Sequence, residues 1–253
     1  MKHNLLKTML SGAVTLLLIP AAHSAISLDR TRVVFPGDEK SVSLNVSNQN
    51  GSLPYLAQGW IEDANGNKLE GGVLTLLPPV QRIEPKGKSQ VKIQAMHGLS
   101  LLPQDKETLF YLNLREIPPK SNKPNTLQIA LQTRIKLFYR PAALARAAVE
   151  QNAAPFQEKL TLSKSGDTYM VNNPTPYYIT LIGASAKAGG GLVKGFEGMM
   201  VPPKGSAPLG GKASDLGGSP ALTYVNDYGG QPTLTFRCDG MQCKVDERKR
   251  DNK

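Results

Sequence analysis

The sequence is poor in the side chains from which most catalytic and metal sites are built. It has three histidines and two cysteines among 253 residues, and two of the histidines, His3 and His23, lie in the first 24 residues. If those residues are removed, as argued below, only His97 remains. A zinc site made of cysteine and histidine would then have at most three ligands, and a histidine-dependent triad would need His97. The composition therefore argues against an enzyme and indicates no metal ion or other cofactor.

Aromatic residues are also few, at 6% of the chain with a single tryptophan, which leaves little for stacking on sugar rings. The formal net charge is +10, and it becomes +8 when the two lysines of the first 24 residues are subtracted. Part of it lies in Glu247-Arg248-Lys249-Arg250, which we interpret as a solvated tail. A basic chain can bind nucleic acid, an anionic surface or a carboxylate-bearing partner. No basic stripe interleaved with aromatics and no zinc-finger spacing supports nucleic acid.

The first 24 residues have the pattern of a secretory signal peptide. Two lysines precede an apolar stretch at 9–20, and Ala22-His23-Ser24 precedes Ala25. The apolar stretch is too short for a stable membrane span, and no later segment approaches 18 apolar residues. We therefore expect cleavage after Ser24 and a soluble, exported chain that is not an integral membrane protein.

Turn-forming residues are abundant in this chain. It has 24 glycines, 19 prolines and few long apolar runs, which favours an all-β fold over a helical bundle. Asn65-Gly66-Asn67 predicts a hairpin turn between Trp60-Ile61 and Leu69. Together with that hairpin, the first half has about seven predicted strands, the number that an immunoglobulin-like sandwich needs. Its other predicted strands are 26–35, 41–47, 73–77, 90–95, 108–116 and 126–139.

A second β domain is predicted after a linker at 140–148, where Arg140-Pro141 interrupts a strand and alanines favour one or two helical turns. The segment 202–218 is predicted as a loop, and so is Gly189-Gly190-Gly191, which lacks the Lys-Ser or Lys-Thr of a phosphate-binding loop. We therefore predict domains at 25–139 and 149–245, followed by a basic tail at 246–253. The predicted strands of the second domain are 156–162, 168–172, 177–182, 196–201, 221–226 and 232–237.

The two cysteines, Cys238 and Cys243, are separated by four residues that include the turn signal Asp239-Gly240. In an oxidising compartment this spacing favours a disulfide that closes a hairpin, with a free redox pair as the alternative. We therefore predict a disulfide in the second domain.

The segment 126–141 combines an alternating pattern with positive charge. Leu127, Ile129 and Leu131 share one face of a strand, and Arg134 and Lys136 share the other. Taken alone, this is the pattern of an ordinary half-buried strand.

Seven segments together carry a resemblance to a known family. They are 28–32, 53–58, 78–82, 109–119, 126–141, 173–178 and 226–230. In this order they resemble the periplasmic pilus (fimbrial) chaperones, and the resemblance spans nearly the whole mature chain. The tail after Val245 and the loops at 185–195 and 202–218 depart from the family pattern.

The resemblance implies two immunoglobulin-like β-sandwich domains in an L-shaped arrangement, located in the periplasm. It also implies a chaperone that binds pilin subunits by donor-strand complementation and delivers them to an outer-membrane usher for pilus assembly. A pilin that lacks its last strand exposes an apolar groove and unpaired backbone groups, which promote aggregation. Leu127, Ile129 and Leu131 would be the donor-strand side chains that enter this groove.

Arg32 and Lys136 match the family's pair of cations that grips the pilin C-terminal carboxylate. Two cations on one carboxylate form charge-assisted hydrogen bonds, which are among the stronger polar contacts. By parity, however, Lys136 faces away from Leu131. If both contact one pilin, we expect the strand to bend or bulge between them.

Glu107, Arg140 and Asp227 match the family's interdomain ion network, with one acid on each domain and the arginine at the linker. Without the resemblance they would be interpreted as ordinary surface charges. Pro54 and Pro78 match a proline pair that is thought to regulate usher binding, although as bare residues they are turn formers.

Two other classes of protein fit the composition less well. An exported carbohydrate-binding or adhesin β-sandwich module is the main alternative, and the small supply of aromatic residues argues against it. A hydrolase with paired carboxylates is the other, but Glu62-Asp63 and Asp246-Glu247 are sequence neighbours without a supporting pattern. The sequence does not identify the cognate pilins, and it leaves open whether the free protein caps its own exposed strand as a homodimer.

Overall fold

The computed structural model describes residues 24–150 and 154–246. The predicted signal peptide, except for Ser24, and the predicted basic tail, except for Asp246, therefore lie outside the described residues. Within these two ranges the fold is all-β, as predicted, with 17 strands and two α-helices. No helix in the described part of the chain is both apolar enough and long enough to cross a lipid bilayer.

The strands of the first half are β1 (Ile26–Leu28), β2 (Arg32–Pro36), β3 (Ser41–Asn48), β4 (Tyr55–Asp63), β5 (Leu74–Leu77), β6 (Val80–Ile83), β7 (Lys88–Ala95), β8 (Thr108–Ile117) and β9 (Gln132–Arg140). Those of the second half are β10 (Thr161–Ser165), β11 (Thr168–Asn173), β12 (Ile179–Ser185), β13 (Met199–Val201), β14 (Gly205–Pro208), β15 (Ala221–Val225), β16 (Thr233–Asp239) and β17 (Gln242–Val245). The α-helices are α1 (Ala142–Glu150) and α2 (Ala213–Leu216), and short 3-10 helices occur at Leu99–Leu101 and Phe156–Lys159.

The first domain is a sandwich of a four-stranded sheet, ordered β1-β3-β7-β5, and a five-stranded sheet, ordered β2-β9-β8-β4-β6. The predicted single strand at 26–35 is wrong, because the chain changes sheets within it: β1 pairs with β3 and β2 pairs with β9. Asp29 lies at the crossing, where its carboxylate accepts a hydrogen bond from the Asn45 backbone N–H. The predicted turn at 65–67 is present, and Asp63 accepts its N–H groups.

One apolar core fills the space between these two sheets, and it determines which way the side chains of β9 point. Ile135, Leu137 and Tyr139 are buried in the core. Because side chains alternate along a strand, the intervening residues of β9 point to the outer face of the five-stranded sheet. Burial of a large side chain such as Leu137 stabilises the fold by about 1.5–3 kcal/mol. The core therefore fixes the register that places Lys136 and Arg140 on the outer face.

The predicted strand at 126–139 is too long, because β9 begins at Gln132. The Glu116 N–H still donates to the Leu131 carbonyl oxygen at 2.9 Å, but residues before Leu131 are not in the ladder. β8 ends at Ile117 and is followed by Pro118-Pro119, which have no N–H to donate. Residues 126–130 therefore have no backbone partner along this edge.

The second domain contains an eight-stranded sheet, ordered β13-β12-β15-β16-β17-β10-β11-β14. The edge strands β13 and β14 are consecutive in the chain, so the sheet curls around a second apolar core. Between the two domains, the predicted helical turns appear as α1, which extends slightly beyond 142–148. Two domains are present as predicted, and the bounds 25–139 and 149–245 stay a prediction.

Three details of the second domain differ from the predictions. The predicted strand at 156–162 is a 3-10 helix followed by β10, because the chain turns after Pro155 and the Glu158 N–H donates to the Pro155 carbonyl. The predicted loop at 202–218 contains α2 and also β14, which pairs with β11. The strand β17, which forms the second arm of the predicted disulfide hairpin, was not among the predicted strand segments. In the first domain, β6 was likewise not among them.

The β16–β17 hairpin places Cys238 opposite Cys243, and a disulfide joins them. We expect the unreduced protein to have a mass two hydrogens below that of the reduced protein. Replacing both cysteines with serine should lower the free energy of unfolding by about 2 kcal/mol, the chain-entropy value for so short a loop. Mass spectrometry and urea denaturation would measure the two effects. A thiol that reacts with a labelling reagent in the freshly exported protein would contradict this prediction.

Candidate functional site

Two cations lie side by side on the outer face of the five-stranded sheet. Arg32 begins β2 and pairs in register with Lys136 of β9. The Arg32 Nη1 donates to the Val225 carbonyl oxygen at 3.0 Å, and the Lys136 Nζ donates to the Thr180 Oγ1 at 3.2 Å. Both partners belong to the second domain, so the cations lie in the cleft between the domains.

Burial and mutual repulsion dominate the electrostatics of this pair. Burial lowers the pKa of the Lys136 ammonium, and the neighbouring Arg32 lowers it further. Burial also lowers the pKa of Arg32, an effect that Asp227 and Glu107 oppose from a distance. The Arg32 Nε is buried and has no hydrogen-bond partner among the described residues. A carboxylate placed beside this pair would offer a hydrogen-bond acceptor and a negative charge to both cations.

An exposed apolar segment precedes this pair in the chain. Leu127 is 85% exposed, Ile129 is 65% exposed and Leu131 is 39% exposed. If this segment continued β9 as a strand, these side chains would lie on the face that is buried at Ile135. The β8–β9 register is unbroken from Gln132 to Tyr139, so the bulge expected between Leu131 and Lys136 is absent from β9.

The edge of β9 opposite β8 is only partly occupied. β2 pairs with residues from Lys136 to Arg140, and no strand in the described ranges pairs with β9 before Lys136 on that side. An added strand could therefore continue the line of β2 along residues 131–135. Such a strand would end at the two cations.

A buried ion network connects the two domains beside this cleft. The Arg140 Nε donates to Glu107 at 2.8 Å, and its Nη1 and Nη2 donate to the two carboxylate oxygens of Asp227 at 2.8 and 3.1 Å. Glu107 accepts a further hydrogen bond from the Tyr178 backbone N–H at 2.7 Å. The sequence-predicted trio is thus in direct contact, with Arg140 between an acid of each domain.

Burial and charge act on this network in opposite directions. Only 6% of the Arg140 side chain and 1% of the Glu107 side chain are exposed to solvent. Burial lowers the pKa of Arg140, but the carboxylates of Asp227 and Glu107 outweigh it and raise the pKa above its usual value. Burial raises the pKa of Glu107, against the effects of Arg140 and the Tyr178 N–H. The Tyr177 ring lies 4.9 Å from the guanidinium and further shields it.

The two prolines are not neighbours in the structure. Pro54 precedes β4 at the end where Tyr55 pairs with Ile83, and Pro78 precedes β6 at the other end of this ladder, where Gln58 pairs with Val80. A shared role in usher binding stays a prediction.

The sequence did not point to the groups of the second domain that contact the cations. Threonine and valine are common in β-strands, so neither Thr180 nor Val225 stands out in the sequence. The group of Val225 that accepts the hydrogen bond is its backbone carbonyl, which every residue has. The sequence pattern predicts strands at 177–182 and 221–226, but it does not indicate that they line the cleft.

Comparison with protein families accounts for both domains. Residues 25–145 match the model of the "Pili and flagellar-assembly chaperone, PapD N-terminal domain", and residues 155–236 match that of the "Pili assembly chaperone PapD, C-terminal domain". The chain belongs to the PapD family of pilus-assembly chaperones. This is a family of chaperones and not of enzymes.

Individual relatives of the chaperone cover almost its whole length. It is 49% identical over 241 residues to the probable fimbrial chaperone YfcS of Escherichia coli (strain K12), covering 93% of this chain and 94% of that one. It is 48% identical over 243 residues to the chaperone protein PapD of Escherichia coli, covering 96% and 99%. Among solved structures, it is similar to a chain in the complex of the Salmonella enterica SafA pilin with the SafB chaperone. The TM-score is 0.68 and the identity is 26%, and the match covers 86% of this chain and 98% of that one.

Proposed function

We propose that the chaperone captures pilin subunits in the periplasm by donor-strand complementation and delivers them to an outer-membrane usher. Residues 126–131 would extend β9 and fill a pilin groove, while Arg32 and Lys136 would bind the C-terminal carboxylate of the pilin. The fimbrial relatives and a similar solved structure of a pilin in complex with a chaperone support the choice of partner.

The observation that carries the proposal is the exposed apolar segment leading to a pair of cations, the buried Arg32 and the half-buried Lys136. Exposure of Leu127 and Ile129 to water is unfavourable, and burial of each in a groove would contribute about 1.5–3 kcal/mol. Arg32 and Lys136 lie at the other end of the open edge of β9, and a bound anion would offset the repulsion between their positive charges. The C-terminus of a protein carries a carboxylate. One pilin whose last strand ends at the cations can therefore bind them and also cover the apolar segment.

The geometry also gives a direction to the captured strand. β2 runs parallel to β9, and it begins opposite Lys136. A pilin strand that ends at Arg32 and Lys136 and lies along residues 131–135 would point in the same direction as β2. We therefore expect the pilin strand to pair parallel to β9, and its side chains to alternate between the donor face and the cleft.

The central test introduces a charge into the donor segment. Ile129→Glu should abolish capture, because an unpaired carboxylate in an apolar groove is strongly disfavoured. The chaperone itself should remain folded, since Ile129 is 65% exposed. Capture would be measured by co-expression with the products of the neighbouring genes and copurification, with circular dichroism of the variant as the test of folding.

Ala130→Glu is the matched control, because it adds the same charge at the adjacent residue, which faces the other way. Capture by the control together with loss of capture by Ile129→Glu would support the proposal. Normal capture by folded Ile129→Glu protein would refute it, and so would unfolding of that variant, since the residue would then belong to the core.

A further inference from the structure

Both cations of the proposed anchor bond to one pair of residues in the second domain. Arg32 donates to the Val225 carbonyl, and Lys136 donates to the Thr180 hydroxyl. Thr180 and Val225 are direct partners in the β12–β15 ladder, as Arg32 and Lys136 are in the β2–β9 ladder. A cross-strand pair of the first domain, Arg32 and Lys136, therefore faces a cross-strand pair of the second domain across the cleft.

We propose that Thr180 is a positioning residue for carboxylate capture, and that the Thr180–Val225 pair sets the spacing of the two cations. The proposal rests on the function proposed above and adds a role for the second domain. Without contacts from that domain, the long side chains of Arg32 and Lys136 would sample many rotamers, and capture would have to restrict them. Holding them in place beforehand reduces the cost of binding.

The chemistry of the hydroxyl supports this role. A lysine ammonium can only donate, so the Thr180 oxygen must be the acceptor in their hydrogen bond. The hydroxyl proton of Thr180 is then not used in that bond, and it can be donated to a carboxylate beside Lys136. Thr180 is 6% exposed, so its hydroxyl is well shielded from competing water. Together with the buried Arg32 Nε, the site would offer hydrogen-bond donors from three side chains.

A purely structural role for Thr180 would give different results. As a β-branched residue in β12, it could serve only to pack the sheet of the second domain, and valine would then replace it without loss. Thr180→Val keeps the shape and removes the hydroxyl, while Thr180→Ser keeps the hydroxyl. A positioning role requires the valine variant to lose affinity and the serine variant to retain it.

The test measures binding of a short peptide of alternating valine and threonine by calorimetry, once with a free C-terminal carboxylate and once with a C-terminal amide. We expect Thr180→Val to bind the carboxylate peptide about tenfold more weakly, in keeping with the loss of one hydrogen bond to a charged group. It should bind the amide peptide as the unmodified chaperone does, and Thr180→Ser should behave like the unmodified chaperone with both peptides.

Thr223→Val is the matched control, because it removes a hydroxyl that bonds to Thr233 and neither anchor cation. Equal affinity of Thr180→Val and the unmodified chaperone for the carboxylate peptide would overturn the proposal. So would equal losses in Thr180→Val and Thr223→Val. If instead the unmodified chaperone does not distinguish the two peptides, the proposed carboxylate anchor itself fails.

A second readout follows the Lys136 ammonium directly. The Thr180 oxygen accepts from the charged form of lysine and so favours it. In NMR titrations of the free chaperone with labelled lysine, Thr180→Val should lower the pKa of Lys136 and Thr180→Ser should restore it. An unchanged pKa in the valine variant would contradict the hydrogen bond on which the inference depends.

Discussion

Replacing Arg140 with alanine should lower the free energy of unfolding by about 3–5 kcal/mol, because it leaves the buried Glu107 carboxylate without its counter-ion. The loss should appear in urea denaturation and as a lower melting temperature. Small-angle scattering should also change, since Arg140 joins Glu107 of one domain to Asp227 of the other.

Lys204→Ala is the control for this prediction. Lys204 also forms an ion pair between the domains, with Asp105, but both side chains are at least half exposed. Exposed ion pairs contribute little to stability, so this variant should resemble the unmodified chaperone. If Arg140→Ala also left the melting temperature and the scattering profile unchanged, the buried network would have no role in orienting the domains.

Replacing Arg32 or Lys136 with alanine should weaken carboxylate capture by about 100-fold or more. Removal of one partner of a buried charge pair costs about 2–5 kcal/mol, and both cations are expected to contact the same carboxylate. The free chaperone should keep its fold, because removing either cation relieves the repulsion between the neighbouring Arg32 and Lys136. Peptide calorimetry and thermal denaturation would measure the two effects. Capture by a folded Arg32→Ala variant at normal affinity would contradict the anchor.

The same pair predicts how capture depends on pH. Because burial and Arg32 lower the pKa of Lys136, its ammonium loses the proton at a lower pH than an exposed lysine would. A bound carboxylate favours the ammonium and raises this pKa again. Affinity should therefore be steady below the lowered pKa and fall above it by up to about tenfold per pH unit. Lys136→Arg, which keeps its charge, should flatten the decline.

The features that were predicted correctly from the sequence depend on local chemistry. Alternating apolar residues identified most strands of both domains, and Asn65-Gly66-Asn67 identified a turn that Asp63 stabilises. The cysteine spacing identified the hairpin disulfide. Each of these signals is contained in a few consecutive residues.

The errors arise where the outcome depends on a distant partner. Residues 126–131 alternate as well as any strand does, yet β9 begins only at Gln132, because Pro118-Pro119 cannot continue the ladder. The change of sheets after Leu28 depends on which strands accept β1 and β2. The contacts of Thr180 and Val225 with the cations require the second domain to be placed against the first, which periodicity does not encode.

The unbroken register of β9 fixes the distance between the donor segment and the two cations. Lys136 follows Leu131 by five residues, so the last donor side chain and the carboxylate anchor are separated by about 16 Å along the strand. On the proposed function, a pilin fits only if its groove begins at that distance from its C-terminus. The chaperone would then select its subunits by the length of their final segment, and this length can stay constant while the pilin sequences around it diverge.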